Sequence, residues 1–247
     1  MNHEIKGTTL PVLLVNLDAE EKVIAESGEL SWLTDSIQLT TSTKMAGSKG
    51  LVGGLKRAFA GGSLFMTEYR AEGGPGTVAF ATKVPGEIHQ VEVNGDSYRI
   101  HHHGYLCGTE GVELSIAFQQ KLGAGIFGGE GFILQKVAGA GQAWVELDGE
   151  VITYELQAGQ RLRVHPGHIG MFEPTVEFSI TTVPGIKNKL FGGDGLFLAT
   201  LMGPGKVWLQ SLPLPNLALA LGPYLPQQES AAEGGAVGGI IGGLLKN

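Results

Sequence analysis

The residues with the widest chemical reach in this chain are histidines. His101-His102-His103 stand in a row, and His165 and His168 follow some 60 residues later. Neutral imidazoles suit zinc, iron or nickel. Two of them at i and i+2 of one strand share a face and can hold one ion. Read as a strand, the row puts His101 and His103 on one face and His102 on the other. His101, His103, His165 and His168 are therefore the candidate metal ligands, against a reading in which they are surface or interface histidines. Carboxylates form a second set. Glu130 and Asp194 recur between glycines in Phe127-Gly128-Gly129-Glu130-Gly131 and Phe191-Gly192-Gly193-Asp194-Gly195. Such a pair either performs acid–base work or caps turns. Cys107 is the single cysteine, so no internal disulfide framework and no thiolate zinc site exist. It reads as a buried or interfacial thiol rather than a nucleophile. Gly123-x-Gly125-x-x-Gly128 has dinucleotide-loop spacing, but strand-like Phe132-Ile133-Leu134 follows where a helix is required. No catalytic residue and no cofactor is assigned.

Charge and composition narrow the partners. The formal net charge is −7, so no nucleic-acid partner is expected. The N-terminus shows no basic patch followed by an apolar core, and a cytoplasmic location is expected. Gly234–Leu245 is glycine and aliphatic only; it is too short for the ~20 residues of a spanning helix. It is expected to be part of a flexible tail, with contact to a membrane surface as its candidate role.

The elements that position these residues follow from an internal repeat. Val112-Glu113-Leu114-Ser115-Ile116 aligns with Val176-Glu177-Phe178-Ser179-Ile180 at an offset of 64. The glycine motifs and Trp144-Val145-Glu146-Leu147 with Trp208-Leu209-Gln210-Ser211 keep that offset; upstream, His103-Gly104 aligns with Pro166-Gly167 at 63. A more divergent first copy carries Ser27-Gly28-Glu29-Leu30, 76 residues before His103, then Phe59-Ala60-Gly61-Gly62 and Gly74-Pro75-Gly76. The repeated motif loops thus contain Gly61, Gly62, Gly128, Gly129, Glu130, Gly192, Gly193 and Asp194. Val112, Leu114, Ile116 and Phe118 alternate with polar or small residues, as do Val145 and Leu147 with Glu146 and Asp148: period two, half-buried strands. With 40 glycines in 247 residues, tight turns between short strands are expected. Helix is limited to pieces near Gly54–Phe59 and Leu217–Leu221. One compact domain over 1–226 is expected, with repeats at about 5–84, 85–148 and 149–213 and a connecting segment, then a glycine-rich tail over 227–247.

Ala25-Glu26-Ser27-Gly28, Gly53-Gly54-Leu55-Lys56-Arg57, Pro85-Gly86-Glu87-Ile88, Phe127-Gly128-Gly129-Glu130-Gly131 and Val207-Trp208-Leu209-Gln210 come in the order of the altered-inheritance-of-mitochondria protein 24 family, which the chain resembles over about residues 5–213. The resemblance implies an all-β fold like the trp RNA-binding attenuation protein: three tandem β-units, each a short double-stranded β-helix. It carries no catalytic residues. The expected function is a non-enzymatic scaffold or binding protein that forms a ring-like homo-oligomer, a homotrimer, peripheral to a membrane. The alternative is a metal-dependent enzyme. Gly95-x5-His101-x-His103 opens like a cupin metal motif, but Cys107 and Gly108 stand where that motif needs a glutamate.

Overall fold

The structure, a computed structural model, describes residues 1–42, 65–120, 131–182 and 197–224. It is mostly strand. The first third holds β1 (Asn2–Lys6), β2 (Val12–Leu17), β3 (Lys22–Glu26), β4 (Trp32–Leu33), β5 (Ile37–Ser42), β6 (Met66–Ala71) and β7 (Gly76–Ala81). Then come β8 (Gly86–His101), β9 (Tyr105–Thr109), β10 (Val112–Gln120) and β11 (Phe132–Asp148). The last third holds β12 (Val151–Leu156), β13 (Arg161–Val164), β14 (Ile169–Phe172), β15 (Glu177–Thr182), β16 (Phe197–Met202) and β17 (Gly205–Gln210). The helix expected near Leu217–Leu221 begins earlier, as α1 (Leu214–Leu221). Pro213 presets the extended N-cap, and Pro215 tolerates the first turn because its missing N–H has no helical partner there. The piece expected at Gly54–Phe59 lies outside the described residues.

Pairing registers recur along the chain. Val12 pairs with Ala81, Ile88 with Glu146 and Val151 with Gln210. The steps are 76 and 63 on one strand and 65 and 64 on the other; 76, 64 and 63 are also offsets between the sequence motifs. Ser115 pairs with Lys136, and Ser179 with Thr200, both 64 residues on. Cys107 pairs with Trp144, and Met171 with Trp208, and in both ladders the next pair skips one residue, Leu106 or Gly170. A one-residue slip would turn every side chain to the other face, so equal registers keep equal faces buried.

Among the described residues the strands form three sheets, ordered β1-β2-β7-β4, then β12-β17-β14-β8-β11-β9-β3-β6-β5 with β10 beside β11, and β13-β16-β15. β8 and β11 are long because each serves two layers. The N-terminal half of β8 pairs with the end of β11, and its C-terminal end pairs with the start of β11 and with β14. Three apolar clusters fill the layers, and each borrows across segments. Trp144 packs with Leu13, Val15, Tyr69 and Phe80; Met171 joins Ile100, Tyr105 and Val145; Phe132 and Leu134 join Ile169, Phe172 and Leu201.

One expectation fails here. Glu146 and Asp148 do not face solvent opposite Val145 and Leu147; they are 2% and 6% exposed. β11 has neighbours on both faces, so its polar positions are buried too. Alternation reports one buried face and is blind to a second layer. Trp144 has no exposed surface and spans the first cluster. Replacing it with alanine is expected to cost about 3–5 kcal/mol in urea unfolding at pH 7, with an unchanged denaturant slope. A cost under about 1 kcal/mol would show that the cluster does not hold the N-terminal strands to β11.

Candidate functional site

A cavity of about 290 Å³ lies where β8, β11, the Pro166–His168 turn and α1 meet. Three of the predicted histidines' neighbours make its polar rim: Lys83, Glu146 and Asp148, beside His101, His102 and His103. Phe132, Ile133 and Ile169 make apolar wall, and α1 closes one side with Leu214, Pro215 and Ala218.

The histidine row is not a strand. His101 ends β8, and His102 and His103 form the turn that follows, with His103 in the left-handed region at φ 69. Histidine visits that region more readily than most residues, which is why a turn forms here without glycine. The turn closes with the Gly104 N–H on the His101 carbonyl at 3.1 Å. A Cβ on Gly104 would stand 2.7 Å from the His101 ring, so a side chain there would have to displace that ring. The His101 Nε2–H donates to the Glu146 carbonyl at 2.9 Å. The rings of His102 and His103 lie 3.7 Å apart between centroids. His165 and His168 also leave the strand face. His165 precedes the 3-10 turn and His168 ends it. The His168 Nδ1–H donates to the Gln210 carbonyl at 2.8 Å, and Nε2 faces the Asn216 amide at 3.4 Å, tying the turn to α1. Two predicted ligands thus spend one ring nitrogen each on backbone. Among the described residues no three His, Cys, Asp or Glu side chains gather as a metal-holding group. Gly61, Gly62, Gly128, Gly129, Glu130, Gly192, Gly193 and Asp194 lie outside the described residues.

The charged centre is one that spacing did not indicate. Lys83 Nζ reaches Glu29 Oε2 at 2.6 Å and Glu146 Oε1 at 2.7 Å, and the Lys83 backbone N–H donates to Glu146 Oε2 at 3.2 Å. Glu29 lies just before β4, Lys83 between β7 and β8, and Glu146 in β11, so the bridge ties the first segment to the second. Burying ions is costly and removing one partner is costlier, since a charge is then left bare. Burial raises the Glu29 carboxyl from its ordinary 4.5 to about 7, against the pull of Lys83. Burial alone would lower the Lys83 ammonium, but Glu146 and Glu29 outweigh it and hold it raised. Burial, then His102, Lys83 and His101, lowers His103 to about 4, so its ring is neutral at pH 7. Burial also raises the Asp148 carboxyl, while His101 and the Leu214 N–H pull the other way. The one available signal was the repeat itself. Glu146 aligns with Gln210, and both are polar positions inside otherwise apolar β-ends. Cys107 is buried and its thiol is raised by that burial, in keeping with an inert core sulfur.

An all-β molecule with an apolar cavity edged by buried ionisable groups is thus defined. The chain belongs to the Mitochondrial biogenesis AIM24 family, whose model matches residues 3–212. It is 26% identical over 225 residues to an uncharacterised protein of Streptococcus pyogenes serotype M6, covering 90% of this chain and 89% of that one. A crystal structure of a Streptococcus pyogenes protein shares the fold, with a TM-score of 0.71 at 23% identity over 91% of this chain and 99% of that chain. Among the described residues no helix is long and apolar enough to cross a membrane.

Glu29 and His103 shape the pH dependence in opposite directions. The unfolded Glu29 releases its proton near 4.5 and the folded one near 7. Between those values the folded state holds more protons, so this group's contribution falls as pH rises. His103 takes up its proton near 6.5 unfolded and near 4 folded, so its contribution falls as pH drops through that window. In urea unfolding across this range, Glu29→Gln is expected to gain on the wild type as pH rises. His103→Asn is expected to gain as pH falls. Parallel pH curves for both variants and wild type would contradict the buried placement of these groups.

Proposed function

We propose that this protein is a non-enzymatic scaffold or binding protein whose three tandem β-units, of the attenuation-protein type, close head to tail into a ring. The observation that carries the proposal is a pair of open strand edges. β3 takes β9 of the next segment on its outer edge, through Ala25 with Cys107 and Ile24 with Gly108. The end of β8 takes β14 of the following segment in the same way, through Ile100 with Met171. β13 is the counterpart of those receiving edges, and among the described residues it pairs only with β16. β4 is the counterpart of β9 and β14, and among the described residues it pairs only with β7.

Unpaired edges invite a strand from another chain. If β4 of one chain takes the place beside β13 of the next, every junction is of one kind. Such heterologous contacts give rings when the rotation closes. The number three comes from the resemblance: three chains of three units make a nine-unit ring. A cytoplasmic location with peripheral contact to a membrane surface through Gly234–Leu245 belongs to the same proposal. Its support is that α1, just ahead of that tail, is uncharged and leaves Leu219 and Leu221 exposed, and that Tyr224 is exposed in the 3-10 turn that follows.

Light scattering after gel filtration is expected to give about 78 kDa, three times 25.9 kDa. Trp32 is 51% exposed, so Trp32→Lys should leave the single chain folded. It would set a cation against Arg161 and Arg163 of the neighbouring β13 and move the mass toward one chain. A wild-type mass near 26 kDa, or an assembly untouched by Trp32→Lys, would refute the head-to-tail contact.

A further inference from the structure

The cavity beneath α1 lies apart from the strand edges. Its walls are mainly apolar, and its volume of about 290 Å³ is roughly twice the ~150 Å³ that admits a benzene ring into an engineered apolar cavity. Its ionic groups do not balance. Lys83 is the cavity's lysine, and it is held by Glu29 and Glu146 at 2.6 and 2.7 Å. That leaves the Asp148 carboxylate, which His101 and Lys83 favour only from longer range. It lines the cavity, its residue is 6% exposed, and among the described residues no cation stands within salt-bridge distance of it. Its polar neighbour on the helix side is the first N–H of α1, at Leu214.

We propose that this cavity binds a small organic cation, a primary ammonium carrying roughly six to eight carbons, with its head on the Asp148 carboxylate and its body against Ile133, Ile169, Leu214 and Ala218. A buried carboxylate gains most from a charge-assisted partner that also fills the apolar space beside it. An anion of the same size meets Asp148 and Glu146 with Lys83 already shared between two carboxylates. A bare metal ion finds no group of three ligands among the described residues and leaves the apolar walls unfilled. The site needs one chain only, so it stands or falls apart from the ring.

The test is calorimetric titration of the full chain with hexylammonium, hexanol and hexanoate at pH 7.5. Hexylammonium is expected to bind with a Kd on the order of 0.1–1 mM. Hexanol should bind about tenfold more weakly or worse, and hexanoate should give no measurable heat. Asp148→Asn, with its fold checked by circular dichroism, should bring hexylammonium down to the level of hexanol. Ala218→Phe, which leaves Asp148 in place and fills the cavity, should abolish binding of both. Hexanoate binding as tightly as hexylammonium, binding undiminished in either variant, or no binding of hexylammonium at about 10 mM would overturn the proposal.

Discussion

Backbone hydrogen bonds at strand edges set the terms for this molecule. A strand carries N–H and C=O groups along both sides, and each needs a partner or water. β3 and the end of β8 meet that need by accepting β9 and β14 from the segment that follows. The same ladders bring the apolar clusters into register, so Trp144 can reach the N-terminal core and Met171 the middle one. The proposed ring extends one rule, edge of one segment to edge of the next, beyond the end of a single chain.

A second tie runs through side chains. Glu29, Lys83 and Glu146 come from three separate stretches of chain and meet in a largely buried bridge. Such a bridge contributes little net stability when intact, but removing one partner leaves a buried charge bare and is costly. Gln210, at the position equivalent to Glu146, does similar work without charge. Its Oε1 accepts the Asp148 N–H at 3.0 Å and its Nε2–H donates to the Gly167 carbonyl at 3.1 Å. These contacts seat the 3-10 turn beside the cavity, and His168 ties that turn to Asn216 of α1.

Much of the fold was legible in the residues. Alternation at Val112–Phe118 and the abundance of glycine indicate short strands and turns, and residues set 76, 64 and 63 apart in the sequence hold like places in the pairing registers. The site was far less legible. Three histidines in a row satisfy a strand pattern and a turn pattern equally, and only the left-handed backbone at His103 separates them. Glu146 and Asp148 follow a solvent-facing rhythm yet lie buried, because a second layer covers the face that periodicity assigns to water. Lys83 and Glu29 carry no local signal at all. Their meaning comes from long-range pairing, which brings residues 54 and 63 positions from Lys83 within hydrogen-bond distance.

The most direct measurement is intermolecular disulfide formation between paired cysteines. Met171 pairs with Ile100. Through the recurring registers Trp32 is the counterpart of Met171, and Arg163, 63 residues after Ile100, is the counterpart of Ile100. A chain carrying Trp32→Cys and Arg163→Cys, with the native Cys107 buried out of reach, is predicted to oxidise into species near 52 and 78 kDa, twice and three times 25.9 kDa. Each single variant should stay near 26 kDa. Absence of linked chains in the double variant, or linkage of Trp32→Cys chains to one another, would contradict a head-to-tail ring.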